Sequence, residues 1–398
     1  MTELQSDQRV AGHRGTHVPA LDGLRGVAVL GVLLFHADLL PGGFLGVDLF
    51  FTLSGYLITA LLLREAGRTG TVSLTAFWGR RVRRLLPALL TVLVVVTVGV
   101  WAFAPDDLVR TTLADGPWVQ ANLVNWHLLA ESSGYWDRFG AHRVFEHLWS
   151  IAVEEQFYLV WPVAVLLLVR AGGRVEQRVA AVAALVCVVS LVLMVLLADA
   201  GDPTRVYTGT DTRAFSLLVG AVVAARPVRT ALLRAVGRSV GAVTGLLAVC
   251  LAVSWVLANG VDSVWLFTGG LFAHSVCAAV LVALTAQSPD TVVAKGLSRP
   301  PLRWCGEISY SLYLWHWPVF VLLGAGEGGA RTAGAFALSI GLATLSRYLV
   351  EDPVRFRAGW ARGRTGLVVF AAAMTALALL WVLLPEPAAP VVDLTRLS

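Results

Sequence analysis

Apolar residues in this chain come in runs of about 18 to 25, longer than core strands or the stripe of an ordinary amphipathic helix. Each run can cross a hydrocarbon core of about 30 Å as a helix rising about 1.5 Å per residue. Lipid offers no partner to backbone N–H and C=O groups, so spans of this kind are expected to be helical. Eleven are expected, near residues 21–40, 44–63, 85–104, 148–169, 179–198, 209–225, 240–258, 263–285, 306–323, 332–350 and 366–384. Residues 1–20 are polar without an apolar centre, and read as a tail, not a cleaved signal peptide. No internal repeat divides the chain. The pattern predicts an all-α fold, a polytopic transmembrane helical bundle forming one membrane domain, with a short Pro-rich disordered tail after Pro385.

The polar segments between the runs set the expected orientation. Arginines gather on one side: Arg80, Arg81, Arg83 and Arg84, then Arg170, Arg174 and Arg178, then Arg226 to Arg238, and last Arg355 to Arg364. The intervening segments carry Asp106, Asp107, Asp115, Glu131, Asp137, Glu146, Asp199 and Asp202. By the positive-inside rule the N-terminus is cytoplasmic and the C-terminus extracellular, in a cell membrane. One outer segment, 105–146, is long and carries Trp118, Trp126, Tyr135 and Trp136; it reads as an interfacial aromatic belt or as a platform for an acceptor.

Composition changes this little. Hydrophobic residues make up 57% and charged residues 14%, against about a quarter charged in soluble domains. The net charge of +5 rests on arginine, with Lys295 the only lysine, and reports topology, not nucleic-acid binding. Cys187, Cys250, Cys277 and Cys305 show no metal-ligand spacing and read as small packing residues; no metal is expected.

Ionisable groups inside spans are costly, so each is a functional candidate. Arg25 and His36 lie eleven residues apart in the first span, which at about 100° per residue puts them on one face, about 16 Å apart along the axis. In the fourth span His147, Ser150, Glu154 and Tyr158 fall on one helical stripe, whereas Glu155 shares an apolar one. Glu154 is thus the carboxylate to expect in a site, or else the partner of a helix-joining arginine. Asp48 is expected near the outer end of the second span, a short turn from His36, where it could fix the imidazole tautomer. The neighbouring Gly46, Ser54 and Gly55 suit close helix packing. Asp211 and Arg213 form another charged pair at outer depth. The loop 77–87 crowds four arginines beside Phe77 and Trp78, which suits a phosphate-rich ligand as well as the topology rule. No glycine-rich nucleotide-hydrolase loop occurs.

Taken together these residues resemble the acyltransferase-3 family of membrane-bound acyltransferases. The resemblance covers 21–357 and rests on Arg25 with His36, on Gly-Val-Asp-Leu-Phe-Phe-Thr-Leu-Ser-Gly-Tyr at 46–56, on Arg81 with Arg84, and on His-Leu-Trp-Ser at 147–150 running into Glu154. Ser-Leu-Tyr-Leu-Trp-His at 311–316 and Glu-Asp-Pro at 351–353 complete it. The resemblance implies a ten-helix core, here 21–357, that takes an acyl group, commonly acetyl, from cytoplasmic acyl-CoA to a hydroxyl at the outer face. It is nearest in look to the branch that O-acetylates peptidoglycan and surface glycans. That branch often continues through an eleventh span, here within 358–384, into an extracellular SGNH-type domain. No Gly-Asp-Ser block of that type follows in 385–398, so a separate SGNH-type partner, a removed domain or direct transfer by the core are all open.

The expected mechanism places CoA phosphates on Arg25, Arg81 and Arg84, and the thioester toward His36, acting as general base or transient acyl carrier. Asp48 or Glu154 would orient it. His147, Asp211, Arg213, Tyr313 and His316 are candidates for the acceptor or the oxyanion. A small-molecule or lipid-linked sugar acceptor is an alternative. A proton-coupled transporter would also use intramembrane charges but leaves the arginine cluster without a ligand.

Overall fold

The computed structural model describes residues 17–136, 143–199, 201–260, 262–326 and 328–388, and every regular element among them is helical. Helix α1, Pro19–His36, starts with Pro at its first position, where the missing N–H costs nothing. A single 3-10 turn, Gly43–Leu45, leads into α2, Gly46–Thr69, which stops at Gly70 in the left-handed conformation. Helix α3, Leu74–Phe103, begins eleven residues before the expected span because the Ser73 hydroxyl caps it by accepting from the Ala76 N–H at 3.3 Å. The arginines at 80–84 therefore lie on a helix and not in a loop. Arg81 and Arg84, three residues apart, share its face.

The outer segment holds two short helices, α4, Asp106–Gln120, and α5, Val124–Ala130. Asp137, counted among its acidic residues, lies outside the described residues. Then follow α6, Trp149–Arg170; α7, Val175–Leu197; α8, Thr204–Thr208; α9, Thr210–Ala224; α10, Arg226–Val236; and α11, Val240–Leu257. A π-helical turn, Leu266–Gly270, opens α12, Leu271–Gln287. The short α13, Val292–Leu297, precedes α14, Pro300–Leu323. Helix α15, Gly329–Leu345, runs on through π-helical turns Ser346–Glu351 and Pro353–Arg357, and α16 covers Gly363–Leu383.

Nine helices among the described residues are long and apolar enough to cross a membrane. The two expected spans that fall outside that set are α9 and α14. Helix α9 has fifteen residues, and nearly all of them are buried. Helix α14 is long enough but carries Arg303, Glu307 and His316. Both lie in the interior, where neighbouring helices replace lipid and polar side chains find partners. Around them the lipid-facing helices show the reverse: only 11% of the best window of α16 is buried, and α7 exposes Leu185, Val188 and Leu196. Cys250 is exposed, so a packing role fits only the other three cysteines, of which Cys187 and Cys305 are buried.

The central crossing joins α2 to α9, and glycine makes it possible. A Cβ on Gly55 would overlap the Leu217 carbonyl, and one on Gly220 would overlap the Thr52 carbonyl, so each backbone rests in the gap the other leaves. A second crossing, α1 on α14, uses Gly26 against the Leu302 carbonyl and Gly306 against the Asp22 carbonyl. These two contacts hold α1 and α2 between α9 and α14, and the site is built from α1, α2 and α14 with α3 and α6. Residues 385–388 dock on the end of α3 and on α4, where Trp101 Nε1 donates to the Pro385 carbonyl and Arg110 to that of Ala388. That part of the tail is ordered; 389–398 lie outside the described residues.

Replacing Gly220 with Val forces a side chain into backbone that cannot yield, and is expected to cost about 3 kcal/mol. The thermal unfolding midpoint of the detergent-solubilised protein should fall by several degrees; an unchanged midpoint would show that the crossing is looser than described.

Candidate active site

A cavity of about 80 Å³ lies among α1, α2, α3, α6 and α14. Arg25, Arg81 and Arg84 line one part of it. Ser54, Glu154, Tyr158, Ser150 and Tyr313 line the rest, with Phe50, Leu53 and Ile151 as apolar wall. Among the described residues no carboxylate lies within 4 Å of any of the three arginines. Arg81 instead sits 4.7 Å over the Tyr158 ring, whose backbone carbonyl accepts from Trp78 Nε1 at 3.0 Å. Three guanidiniums without a direct ion pair face one cavity, with the Glu154 carboxylate in the same lining, an arrangement that can take an anion with several oxygens.

The stripe read from the sequence of α6 turns inward. The Ser54 hydroxyl donates to the Glu154 carboxylate, and the Tyr158 hydroxyl donates to Ser54 at 3.1 Å. Ser54, taken from the sequence as a packing residue, is thus the direct partner of Glu154. No arginine is close enough to Glu154 for an ion pair. Farther along, Tyr313 donates to the His147 carbonyl at 2.9 Å, and the Ser150 hydroxyl lies 2.7 Å from the Tyr313 oxygen. Tyr310, also in the lining, donates to the Leu85 carbonyl at 3.1 Å and ties α14 to α3.

Beyond Tyr313 stand three histidines. The His36 and His316 rings are stacked 5.1 Å apart, and the His147 ring meets His316 edge to face at 5.3 Å. His316 Nδ1 lies 2.7 Å from the Tyr313 backbone carbonyl, which can only accept, so Nδ1 carries the hydrogen. With both rings neutral, His316 Nε2 then offers a lone pair, and His36 Nδ1–H, 2.9 Å away, donates to it. The network leaves the lone pair of His36 on Nε2. Trp317 packs 4.6 Å from the same ring. His147 is buried, and neither of its ring nitrogens has a hydrogen-bond partner.

Asp48 does not take the place expected for it. It forms a fully buried ion pair with Arg213 at 2.8 Å, and Oδ1 also accepts from Ser216 at 2.9 Å. Helical geometry explains this: Gly55 is seven residues after Asp48, so both face α9, and His36 lies toward α14. The orientation assigned to Asp48 falls to His316. Asp211 and Arg213 do not pair with each other either. Asp211 holds Arg205 through two contacts, at 2.9 and 2.7 Å. Arg213 lies under the rings of Phe51, Tyr207 and Phe215, with the Tyr207 centroid 5.0 Å away. Asp48 and Arg213 therefore brace the core, away from the cavity lining.

In the outer segment Asp115, His127 and Glu131 bring three possible ligand atoms within 4.8 Å of one another. Arg143 already bridges the two carboxylates, at 2.6 Å to Asp115 and 2.5 Å to Glu131. Burial pushes the Asp115 carboxyl up from its ordinary value, and Arg143 and His127 pull it back. The group closes on itself as an ion-pair network that fastens 143 to the outer helices.

The fold and cavity together define a polytopic helical membrane protein with a buried cavity lined in part by arginines. Comparison with known proteins gives the family. Residues 18–384 match the acyltransferase-3 family, described as an acyltransferase domain. The chain is 38% identical over 352 residues to YrhL, a candidate peptidoglycan O-acetyltransferase of Bacillus subtilis, covering 85% of this chain and 55% of that one. It is 36% identical to the O-acetyltransferase OatA of Staphylococcus aureus, over 77% of this chain and 51% of that one. It is 35% identical to the peptidoglycan O-acetyltransferase OatA of Listeria monocytogenes, over 79% of this chain and 51% of that one. No solved structure matches the chain significantly. The chain belongs to the acyltransferase-3 family, and it spans about half the length of the curated relatives it matches.

Replacing Asp48 with Asn leaves Arg213 buried without a counter-charge, at an expected cost of about 3 to 5 kcal/mol. The variant should be lost as folded protein on size-exclusion chromatography in detergent. A well-folded but inactive D48N protein would instead give Asp48 a direct part in the chemistry.

Proposed function

We propose that this chain moves an acyl group, in the first place acetyl, from cytoplasmic acyl-CoA to a hydroxyl of a cell-wall glycan at the outer face. The observation that carries this reading is the cavity itself: three arginines without carboxylates in one part, and hydroxyls leading toward a histidine pair in the other. The relatives' printed names, peptidoglycan O-acetyltransferase among them, favour acetyl as the group and glycan as the acceptor. With the N-terminus in the cytoplasm, the start of α1 and the arginine part of the cavity face the cytoplasm, as the donor requires.

In this reading Arg25, Arg81 and Arg84 hold the diphosphate of CoA by bidentate contacts. The pantetheine arm follows the apolar wall of Phe50, Leu53 and Ile151, and the thioester arrives at Ser150 and Tyr313. Glu154, held by Ser54 and Tyr158, supplies a fixed negative charge facing the arginines. The acceptor hydroxyl gives its proton to His36 Nε2 as its oxygen attacks the thioester carbonyl. His316 accepts the hydrogen bond from His36 Nδ1–H throughout, and so keeps the lone pair where the proton must go. The C–S bond then breaks, and the departing thiolate takes the proton from the imidazolium. If His36 is instead the transient acyl carrier, Nε2 attacks the thioester and the C–S bond breaks to release the CoA thiolate; the acceptor hydroxyl then attacks the acyl-imidazole, the C–N bond breaks, and the hydroxyl proton passes to the thiolate. His36 does not line the cavity, and Tyr313 touches both the cavity and the histidines. The thioester therefore meets His36 once the Tyr313 hydroxyl gives up its bond to the His147 carbonyl. His147, with two unpartnered ring nitrogens, is placed to meet the acceptor or the developing oxyanion.

Thiol release from acetyl-CoA by the purified protein, followed with and without soluble peptidoglycan fragments, tests the reading. His36→Ala is expected to remove acceptor-dependent release by at least about a hundredfold, the lower end of what a general base contributes, while CoA still binds. Arg81→Ala with Arg84→Ala is expected to weaken CoA binding more than turnover. Full activity in the His36 variant would end the proposal.

A further inference from the structure

Near the three cavity arginines lies a fourth that the reading so far leaves idle. Arg355 sits on the π-helical turn Pro353–Arg357, which packs against α3, the helix that carries Arg81 and Arg84. The π-helical run before it, Ser346–Glu351, also packs on α3, and such wide turns recur at functional sites. The carboxylates of this segment are already engaged. The Ser311 hydroxyl donates to Glu351, and Arg347 holds Glu351 and Asp352 at 3.3 Å each. Arg355 has no carboxylate within 4 Å; its guanidinium lies 4.7 Å over the Phe356 ring. Its nearest charges are Arg347, Asp352 and Glu351 on its own segment, and beyond them it is near enough for its charge to act on Arg25 and Arg84. Four like charges are thus drawn together where only three line the cavity.

Resting on the acyl-CoA reading, we propose that Arg355 is the specificity residue for the ribose 3′-phosphate of the donor. The order of groups along CoA supports this. From the acyl end inward come pantetheine, then the diphosphate, then the ribose with its 3′-phosphate. Arg25, Arg81 and Arg84 line the cavity and meet the diphosphate at the foot of the pantetheine arm. Arg355, outside the lining on a turn that packs against the helix of Arg81 and Arg84, is the arginine assigned to the next phosphate. A phosphate monoester brings about −1.5 to −2 charges at neutral pH, which a lone guanidinium in a half-buried setting would bind through paired N–H groups. An arginine present only to mark the cytoplasmic side has no means to tell CoA from its 3′-dephospho form.

The test titrates the purified full chain, in nanodiscs, calorimetrically with CoA and with 3′-dephospho-CoA. The wild-type protein is expected to bind CoA on the order of tenfold tighter, the worth of one charged phosphate contact. Arg355→Gln should bring the ratio of the two dissociation constants close to one, and Arg355→Lys should keep an intermediate ratio. A variant that merely disturbs the fold would weaken both ligands in proportion and keep the wild-type ratio, which would overturn the proposal. Equal binding of both ligands by the wild-type protein would also overturn it while leaving the acyl-CoA donor standing. Failure of the wild-type protein to bind either ligand would remove the donor reading and this inference together.

Discussion

The fully buried pair of Asp48 and Arg213 sets the rotation of α2, and through α2 the shape of everything that lines the cavity. An ion pair in the middle of a membrane bundle is tolerable only when both charges find each other. Ser216 from α9 and Ser275 from α12 gather around the Asp48 carboxylate, so three helices share one contact. Gly55, on the same face of α2, lets α9 come close enough for this to happen. Six residues after Asp48, about 240° around the helix, Ser54 is then directed away from α9 and toward α6. That rotation delivers its hydroxyl to Glu154. A change in the ion pair would therefore reach the cavity as a turn of α2, without any residue of the cavity being altered.

Periodicity along single helices was legible in the sequence. The stripe His147, Ser150, Glu154 and Tyr158 was read from spacing alone, and in the structure three of its side chains turn to one cavity. The crowding of arginines at 80–84 was legible too. Their helical setting was obscured, since arginine next to a span reads as loop. The Ser73 cap was the available signal against that reading. Pairings across helices were not legible. Asp48 is near His36 along the chain, but a helix face decides its partner, and Arg213 lies 165 residues away. The same holds for Ser54 with Glu154 and for His36 with His316, both joined by packing that no local spacing encodes. Hydropathy led to eleven spans because α9 and α14 are apolar enough to count by eye; their polar residues mark them as interior helices shielded by their neighbours.

The two parts of the site impose opposite demands, and the structure keeps them separate. A phosphate site works through full charges, which arginine keeps at any pH the cell meets and presents as a planar fork. A histidine that must accept a proton works best neutral, with its lone pair fixed in direction. Guanidiniums beside the histidine would oppose the imidazolium that forms on it. Along α1 the separation of Arg25 from His36 is about 16 Å, at which even a weakly screened repulsion is small beside a direct contact. Between them lie hydroxyls from Ser54, Tyr158, Ser150 and Tyr313, with the Glu154 carboxylate held by Ser54 among them. Tyr313 is shared by the cavity and the histidine cluster, and its two hydrogen bonds end on α6 and the turn just before it. On the acyl-transfer reading, passage of the acyl group therefore depends on the α6–α14 contact, while donor affinity depends on α1, α3 and the π-helical end of α15. Substitutions in the first set should act on turnover and those in the second on binding, because no side chain other than those of the cavity lining joins the two.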